Sequence, residues 1–342
     1  MKLIELHILQ SFPVTCLNRD DVGSPKSATF GGTQRARVSS QSLKRAARLR
    51  ARDESPSGFE GIRSRFLSEP FTRALRDAGL DEPVAAKKAA ELCDVFSKVD
   101  AKKPDQVTTA VYLSPGEIQQ IATAVAAGEE PAKAAKKVDR LDAADIAFFG
   151  RMIANDATLN IEGAAMFSHA LSTHTTANEI DFYSAVDDRK GDSEDAGASM
   201  IGTLEYNSAT YYRYVGINLD LLFDAKHLAA LDAEKRRTIL RVFITSVLTA
   251  VPGARQNSMN GATLPTEVLG IRKEKGQPLQ LVNAFEAPVK AGGKGYAARS
   301  RDEMLGHHAN LKKLWNIETS VESLLTEDGL GQFLDNLIHD NV

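Results

Sequence analysis

Residues 30–52 read FGGTQRARVSSQSLKRAARLRAR. Gly31-Gly32 lets the backbone turn sharply and approach a neighbouring group closely. Ser39-Ser40-Gln41 then opens a helix running to about Arg52. Serine is a favoured N-cap, and Leu43, Ala46, Ala47 and Leu49 supply an apolar side. Upstream, MKLIELHILQSF alternates. Ile4, Leu6 and Ile8 fall on one face and Glu5 and His7 on the other, which predicts a strand with one solvated face. From Asn18 to about Gln34 the composition (Asn, Asp, Gly, Ser, Pro) is that of a loop.

Downstream, DESPSGFEGI (53–62) reads as a flexible connection, and about 64–150 as an Ala-, Lys- and Asp-rich helical insertion. Ala85, Ala89, Leu92, Phe96 and Val99 recur at helical spacing. Ser114-Pro115-Gly116-Glu117 is a capping box with proline at N1, and Asp142 is positioned to cap a short helix ending near Phe149. Residues 151–220 are mixed and strand-like. The polar stretch 187–202 reads as a mobile loop between two arms, and TYYRYVGIN (210–218) as a strand. Asp232 caps a long helix carrying Ile239, Val242, Phe243 and Val247, stopped by Pro252-Gly253. After a loop-rich segment, 253–300, two helices close the chain, one through Met304, Leu311 and Leu314, the other through Leu330, Phe333, Leu334, Leu337 and Ile338. This order is not a βαβ alternation. It predicts an α+β fold: a small antiparallel sheet with helices on one face, interrupted by insertions.

Composition narrows the class. Of 342 residues, 43% are apolar and 25% charged, the balance of a soluble globular protein. Cys16 and Cys93 lie far apart with no C-x-x-C, which excludes a disulfide scaffold and a thiolate zinc site and fits a reducing cytosol. Glu5 and His7 interrupt the first apolar run, so neither a signal peptide nor a membrane span is expected.

The net charge of −3 hides a strong asymmetry. Between Val22 and Arg52 lie Lys26, Arg35, Arg37, Lys44, Arg45, Arg48, Arg50 and Arg52, with no acidic residue. A helix N-terminus after a glycine turn, followed by cations within two turns, is a local anion site. No Walker or dinucleotide motif is present; GGKG at 292–295 lacks the following Ser or Thr. Cations spread along a segment fit a polymeric phosphate backbone better than one nucleotide. His169 and His174 are five apart, His307 and His308 are adjacent, and no H-E-x-x-H occurs, so the histidines read as structural or surface groups and no metal or cofactor is expected. Asp20-Asp21 and Asp187-Asp188 read as loop caps. Phe182 and Tyr183 are neighbours on a strand pattern and point opposite ways, so either one of them is open to stack on a base or both belong to the core, and spacing alone does not choose between the two.

Several collinear blocks carry a family resemblance: CLNRDD (16–21), FGGTQRARVSSQSLKRAAR (30–48), FFGRM (148–152), HALSTHTTANEIDFYSAVDD (169–188), YYRYVGINL (211–219), VPGARQ (251–256) and NAFEAPVKA (283–291). Together they resemble the CasC (Cse-type) crRNA-binding backbone subunit of the type I-E CRISPR Cascade complex. The resemblance implies a right-hand shape. Its palm is a modified RRM (ferredoxin-like) sheet from 1–54, 151–174 and 208–342, its fingers are the helical block 55–150, and its thumb is a hairpin at 175–207. It implies crRNA contacts by Arg19, Lys26, Ser39, Ser40, Gln41, Lys44, Arg45, Arg48 and Lys290, with Lys294 in the same basic loop. Met152 would pack against a displaced base, and Phe182 and Tyr183 would interrupt the guide. Ser27 departs from the acidic residue expected after the lysine. The finger block carries no alignable pattern, so the resemblance does not assign which finger lysines, such as Lys87, Lys88 or Lys136, meet target DNA. The implied partners are crRNA, the target DNA strand, neighbouring copies, other Cascade subunits and a recruited helicase-nuclease. The implied role is non-catalytic and cytoplasmic. The alternative is a repeat-associated endoribonuclease using His7, His169, Asp20 or Asp21.

Overall fold

The computed structural model describes residues 1–185 and 200–338. β1 (Leu3–Thr15), β2 (Ser27–Phe30) and β3 (Thr33–Val38) precede α1 (Ser40–Glu54). β2 and β3 form a hairpin turning at Gly31 and Gly32, whose φ values are +58° and +73°. The second half of the region expected to be loop through Gln34 is therefore a strand hairpin. Two strands of four and six residues carry too little alternation to register as such. Position 31 demands glycine twice over: its φ is left-handed, and a Cβ there would overlap the Glu286 carbonyl oxygen. At α1, Ser39 is the N-cap as expected, its hydroxyl accepting from the Ser42 N–H at 3.2 Å.

The insertion holds β4 (Ile62–Ser64), α2 (Ser68–Asp77), α3 (Glu82–Phe96), β5 (Val99–Asp100), β6 (Lys103–Val107), β7 (Val111–Leu113), α4 (Pro115–Ala126), α5 (Pro131–Ala134) and α6 (Ala144–Phe149). It builds its own core from Phe71, Leu75, Ala89, Leu92, Phe96, Ile121 and Val125. Two short antiparallel pairs, β4 with β7 and β5 with β6, interrupt the expected run of helices. The capping box forms in full at α4. Asp142 does not cap α6, whose N-cap is Ala143. It accepts instead from the Ser114 hydroxyl and the Gly116 N–H, both at 2.8 Å, and so ties the loop before α6 to the start of α4.

The chain then supplies β8 (Ala165–Phe167), β9 (Ala170–Ser172), β10 (Glu179–Ala185), β11 (Met200–Asn218), α7 (Leu219–Leu222), α8 (Ala233–Thr249), β12 (Glu267–Lys273), α9 (Ala297–Trp315), β13 (Val321–Leu324) and α10 (Gly329–Leu337). The main sheet runs β13-β12-β1-β11-β9-β3-β2, with β8 and β10 also paired to β11. Its pairings are antiparallel. The fold is thus α+β, as the sequence predicts. Of the polar stretch read as a loop at 187–202, most lies outside the described residues, but Met200–Gly202 belong to β11, opposite Ala185–Tyr183.

Both faces of the sheet are covered, where one was expected. Ile4, Leu6, Ile8, Val215 and Ile217 meet Phe243 and Val247 of α8 on one side. On the other, Leu9, Tyr212 and Tyr214 pack with Phe285 and with Met304 of α9. Glu5 and His7 are therefore not solvated: they are 0% and 1% exposed. Burial is tolerated because both are partnered. Glu5 pairs with Lys273 and accepts from the Tyr214 hydroxyl at 2.9 Å. The Tyr212 hydroxyl, which accepts from the Leu281 N–H, is 2.9 Å from His7 Nδ1. Leu314, read as core, is 73% exposed, because α9 buries only the Met304 side of its first turns. Among the described residues, no helix is long and apolar enough to cross a membrane.

This buried histidine sets an acid limit on stability. Burial above all, then the nearby charges of His308 and Lys273, lowers the pKa of His7 to about 3. The unfolded chain takes up this proton near 6.5 and the folded chain does not. Stability is therefore complete above pH 6.5 and falls as pH drops towards 3, by ~1.4 kcal/mol per pH unit. His7→Phe is expected to shrink the stability difference between pH 7 and pH 5 by ~2 kcal/mol in urea melts. An unchanged difference would mean that His7 is protonated in the fold.

Candidate nucleic-acid interface

The site is organised by the N-terminus of α1. The Lys26 N–H donates to the Asn18 carbonyl and the Arg37 N–H to the Lys26 carbonyl, both at 2.9 Å. The Asn18 side-chain oxygen accepts from the Ser39 N–H at 2.8 Å. Across from them, His169 Nδ1 accepts from the Ser40 N–H at 2.9 Å. Burial, then Arg37 and Lys26, holds the pKa of His169 below its ordinary value, so it is neutral at pH 7. One turn further, the Lys44 ammonium lies 5.7 Å from the centre of the Phe167 ring, and burial lowers its pKa. Lys26, Arg37, Ser39, Ser40 and Lys44 are thus brought onto one surface, with the dipole of a 15-residue helix behind them. Gln41 stands exposed at the same helix start.

The remaining cations of residues 22–52 are placed differently. Successive helix positions diverge by about 100°, and Arg45 accordingly lines another surface. This is a cleft of about 1440 Å³ that it shares with Arg19, Asp20, Asp21, Arg50, Asp53 and the segment 249–256. Three cations and three carboxylates leave that cleft nearly charge-balanced. Arg50 also pairs with Glu54, while Asp20 Oδ1 accepts from the Val22 and Ser24 N–H groups. Arg48 turns towards the insertion, its guanidinium 5.3 Å from the Tyr112 ring centre. Arg52 donates to the Phe59 and Gly61 carbonyls.

Arg35 is 0% exposed. Its guanidinium donates to the Ser172, Phe285 and Glu286 carbonyls at 3.0, 2.8 and 3.1 Å and to the Thr33 hydroxyl at 2.9 Å. It thereby binds the 283–291 loop to the sheet. That loop is also held by the Val289 N–H donating to the Thr173 carbonyl at 3.0 Å. Lys290 projects from it, exposed, and its carbonyl accepts from Arg299 at 3.0 Å. Lys294 is exposed in the glycine-rich turn that follows.

Met152 is 76% exposed directly after a buried clamp. In that clamp Arg151 donates to Glu117 at 2.8 and 3.0 Å and to the Tyr112 carbonyl at 3.1 Å. On the β10–β11 hairpin Phe182 is 64% exposed and Tyr183 is 36% exposed, on opposite faces. The Tyr183 ring fills the space over Gly202, its cross-strand partner, so Phe182 is the freer aromatic. Ile180 shares the Phe182 face and is 69% exposed.

Sequence reasoning missed Arg37 and His169 as members of the α1 surface. Arg37 was one cation among eight. Strand period two puts it on the same side as Arg35, and only the distant 283–291 loop, by covering Arg35, tells them apart. His169 lies 129 residues from Ser40, and no local pattern announces that contact.

Comparison of the sequence with curated proteins finds no match. A model of the CT1975-like protein family matches residues 4–336. Among solved structures, a chain of a "CRISPR RNA-guided surveillance complex, pre-nicking" is 29% identical, with a TM-score of 0.78 over 95% of this chain and 92% of that one. A chain of a "CRISPR RNA-guided surveillance complex" shares the fold at 24% identity and a TM-score of 0.62, over 98% of this chain and 92% of that one. The Cascade resemblance read from the sequence blocks agrees with these matches. With the family model spanning nearly the whole sequence, the chain belongs to the CT1975-like protein family.

Proposed function

We propose that the chain is a non-catalytic backbone subunit of a type I-E Cascade complex, polymerising along crRNA in the cytoplasm. The observation that carries this reading is the α1 surface. Lys26, Arg37 and Lys44 surround a capped helix start, and residues 22–52 contain no carboxylate to oppose a phosphate. Such a surface grips sugar and phosphate without reading bases, as a guide of variable sequence requires. In this reading the main sheet is an RRM-like palm, the block 55–150 the fingers and the segment 175–207 the thumb. Gln41 and Lys290 extend the backbone contacts, and Arg19, Arg45 and Arg48 approach the strand from the flanks of α1. Phe182 wedges between nucleotides and Met152 packs against the displaced base, so the guide pairs with target DNA in short runs. Neighbouring copies, other Cascade subunits and a recruited helicase-nuclease complete the assembly, and cleavage is left to those partners. His7, a candidate for the endoribonuclease alternative, is sealed beneath α9.

The test is binding of purified protein to single-stranded RNAs of unrelated sequence across a salt series. Affinities are expected to agree within about threefold, and log affinity to fall with log salt at ~0.7 per phosphate contacted. Longer RNAs are expected to give discrete multi-copy complexes on native gels. Strong preference for one sequence, or affinity indifferent to salt, would contradict the reading.

A further inference from the structure

We infer that His169 is a direct contact to the RNA backbone, a neutral imidazole whose Nε2–H donates to a phosphate oxygen. The inference rests on the α1 surface being the RNA site. A peptide N–H can only donate, so the 2.9 Å bond from Ser40 requires a lone pair on Nδ1 and places the ring proton on Nε2. The ring is exposed, and Nε2 has no partner among the described residues. Partial loss of water, with the nearby cations Arg37 and Lys26, opposes a second proton. Charging Nδ1 would also break the bond to Ser40. The result is one fixed donor facing solvent, aligned by the helix start it touches and set between two cations. Lys26 and Arg37 attract a phosphate over several ångströms, whereas a neutral donor of fixed direction sets where the oxygen comes to rest. The class of ligand is a single-stranded polynucleotide backbone, met here through hydrogen bonding rather than charge.

Two substitutions separate this role from simple capping of α1. In His169→Asn the side-chain oxygen takes the place of Nδ1 and still accepts from Ser40, but nothing reaches the position of Nε2. In His169→Gln the amide nitrogen reaches that position, while the short-range acceptor is lost. RNA affinity across a salt series and thermal melts are measured for both, with Lys26→Gln as the charged control. His169→Asn is expected to melt as wild type and to bind about fivefold to tenfold more weakly, the loss of one hydrogen bond. Its salt slope is expected to be unchanged, because no charge is removed. His169→Gln is expected to bind within about twofold of wild type. Lys26→Gln is expected to lower the slope by ~0.7. Wild-type binding by His169→Asn together with weakened binding by His169→Gln would assign the residue to capping alone and overturn the inference. A reduced slope in His169→Asn would also overturn it, by showing a charged histidine. If Lys26→Gln leaves binding and slope untouched, the α1 surface is not the RNA site, and that reading falls, taking the inference with it.

Discussion

Replacing Lys26 and Lys44 together by glutamine is expected to weaken single-stranded RNA binding by on the order of a hundredfold per protomer at low salt, and to cut the salt slope by ~1.4. Lys26 immediately precedes β2, beside the α1 start, and Lys44 lies one turn into the helix; neither is paired with a carboxylate among the described residues. Lys44 is held over the Phe167 ring and partly stripped of water, so its charge acts at close range. Glutamine keeps most of the side-chain length at both positions, so packing against Phe167 is largely preserved and the melting temperature should barely move. Anisotropy titrations at several salt concentrations measure both quantities at once. An affinity loss with an unchanged slope would mean that the substitutions had disturbed the fold and had not removed phosphate contacts. In the proposed assembly, where copies bind side by side on a long RNA, the loss should compound into a failure to form multi-copy complexes.

Glu117→Ala is expected to destabilise the insertion by about 3–5 kcal/mol, the cost of stranding buried cations. Glu117 is 0% exposed, accepts hydrogen bonds from Arg151 on both oxygens and from the Ser114 N–H at 3.1 Å, and forms an ion pair with Arg140 at 2.7 Å. Its removal leaves the guanidinium of Arg151, 1% exposed, facing a void, and opens the capping box of α4. Urea melts read the stability, and limited proteolysis reads whether cleavage falls between 56 and 160. The paired change Glu117→Met with Arg151→Met should recover part of the loss, since it removes the charges together. A single-substitution loss below about 1 kcal/mol would mean that water already solvates this pair. Met152 follows Arg151 directly, so the same substitution loosens the one exposed methionine proposed to meet a displaced base.

What the sequence reveals here is mostly what neighbours along the chain decide. The Ser39 cap, the Ser114–Glu117 box, the Asp232 cap and the apolar side of α8 depend on residues within a turn or two, and each is where the pattern puts it. Glu5 and His7 show the opposite case. Alternation reveals two faces of β1, but whether the second is wet depends on α9, nearly 300 residues later. The same distance hides the hairpin β2–β3, whose pairing partner β9 comes 130 residues on. It also splits the eight cations into those buried, those paired and those open, since the carbonyls that take up Arg35 lie at 172, 285 and 286. The cation-rich segment was legible as a concentration of charge. Which residues share the α1 surface was not, because Arg37 and His169 acquire their places only through sheet pairing.

Arg35 has a consequence of its own. A guanidinium held by carbonyl and hydroxyl oxygens and by the Phe30 ring, with no carboxylate paired to it among the described residues, contributes a full positive charge to its surroundings. Mobile ions cannot reach it, and its proton stays on throughout the biological pH range. The neighbouring surface therefore keeps a positive background that acidification does not remove and that salt screens less than it screens the exposed cations.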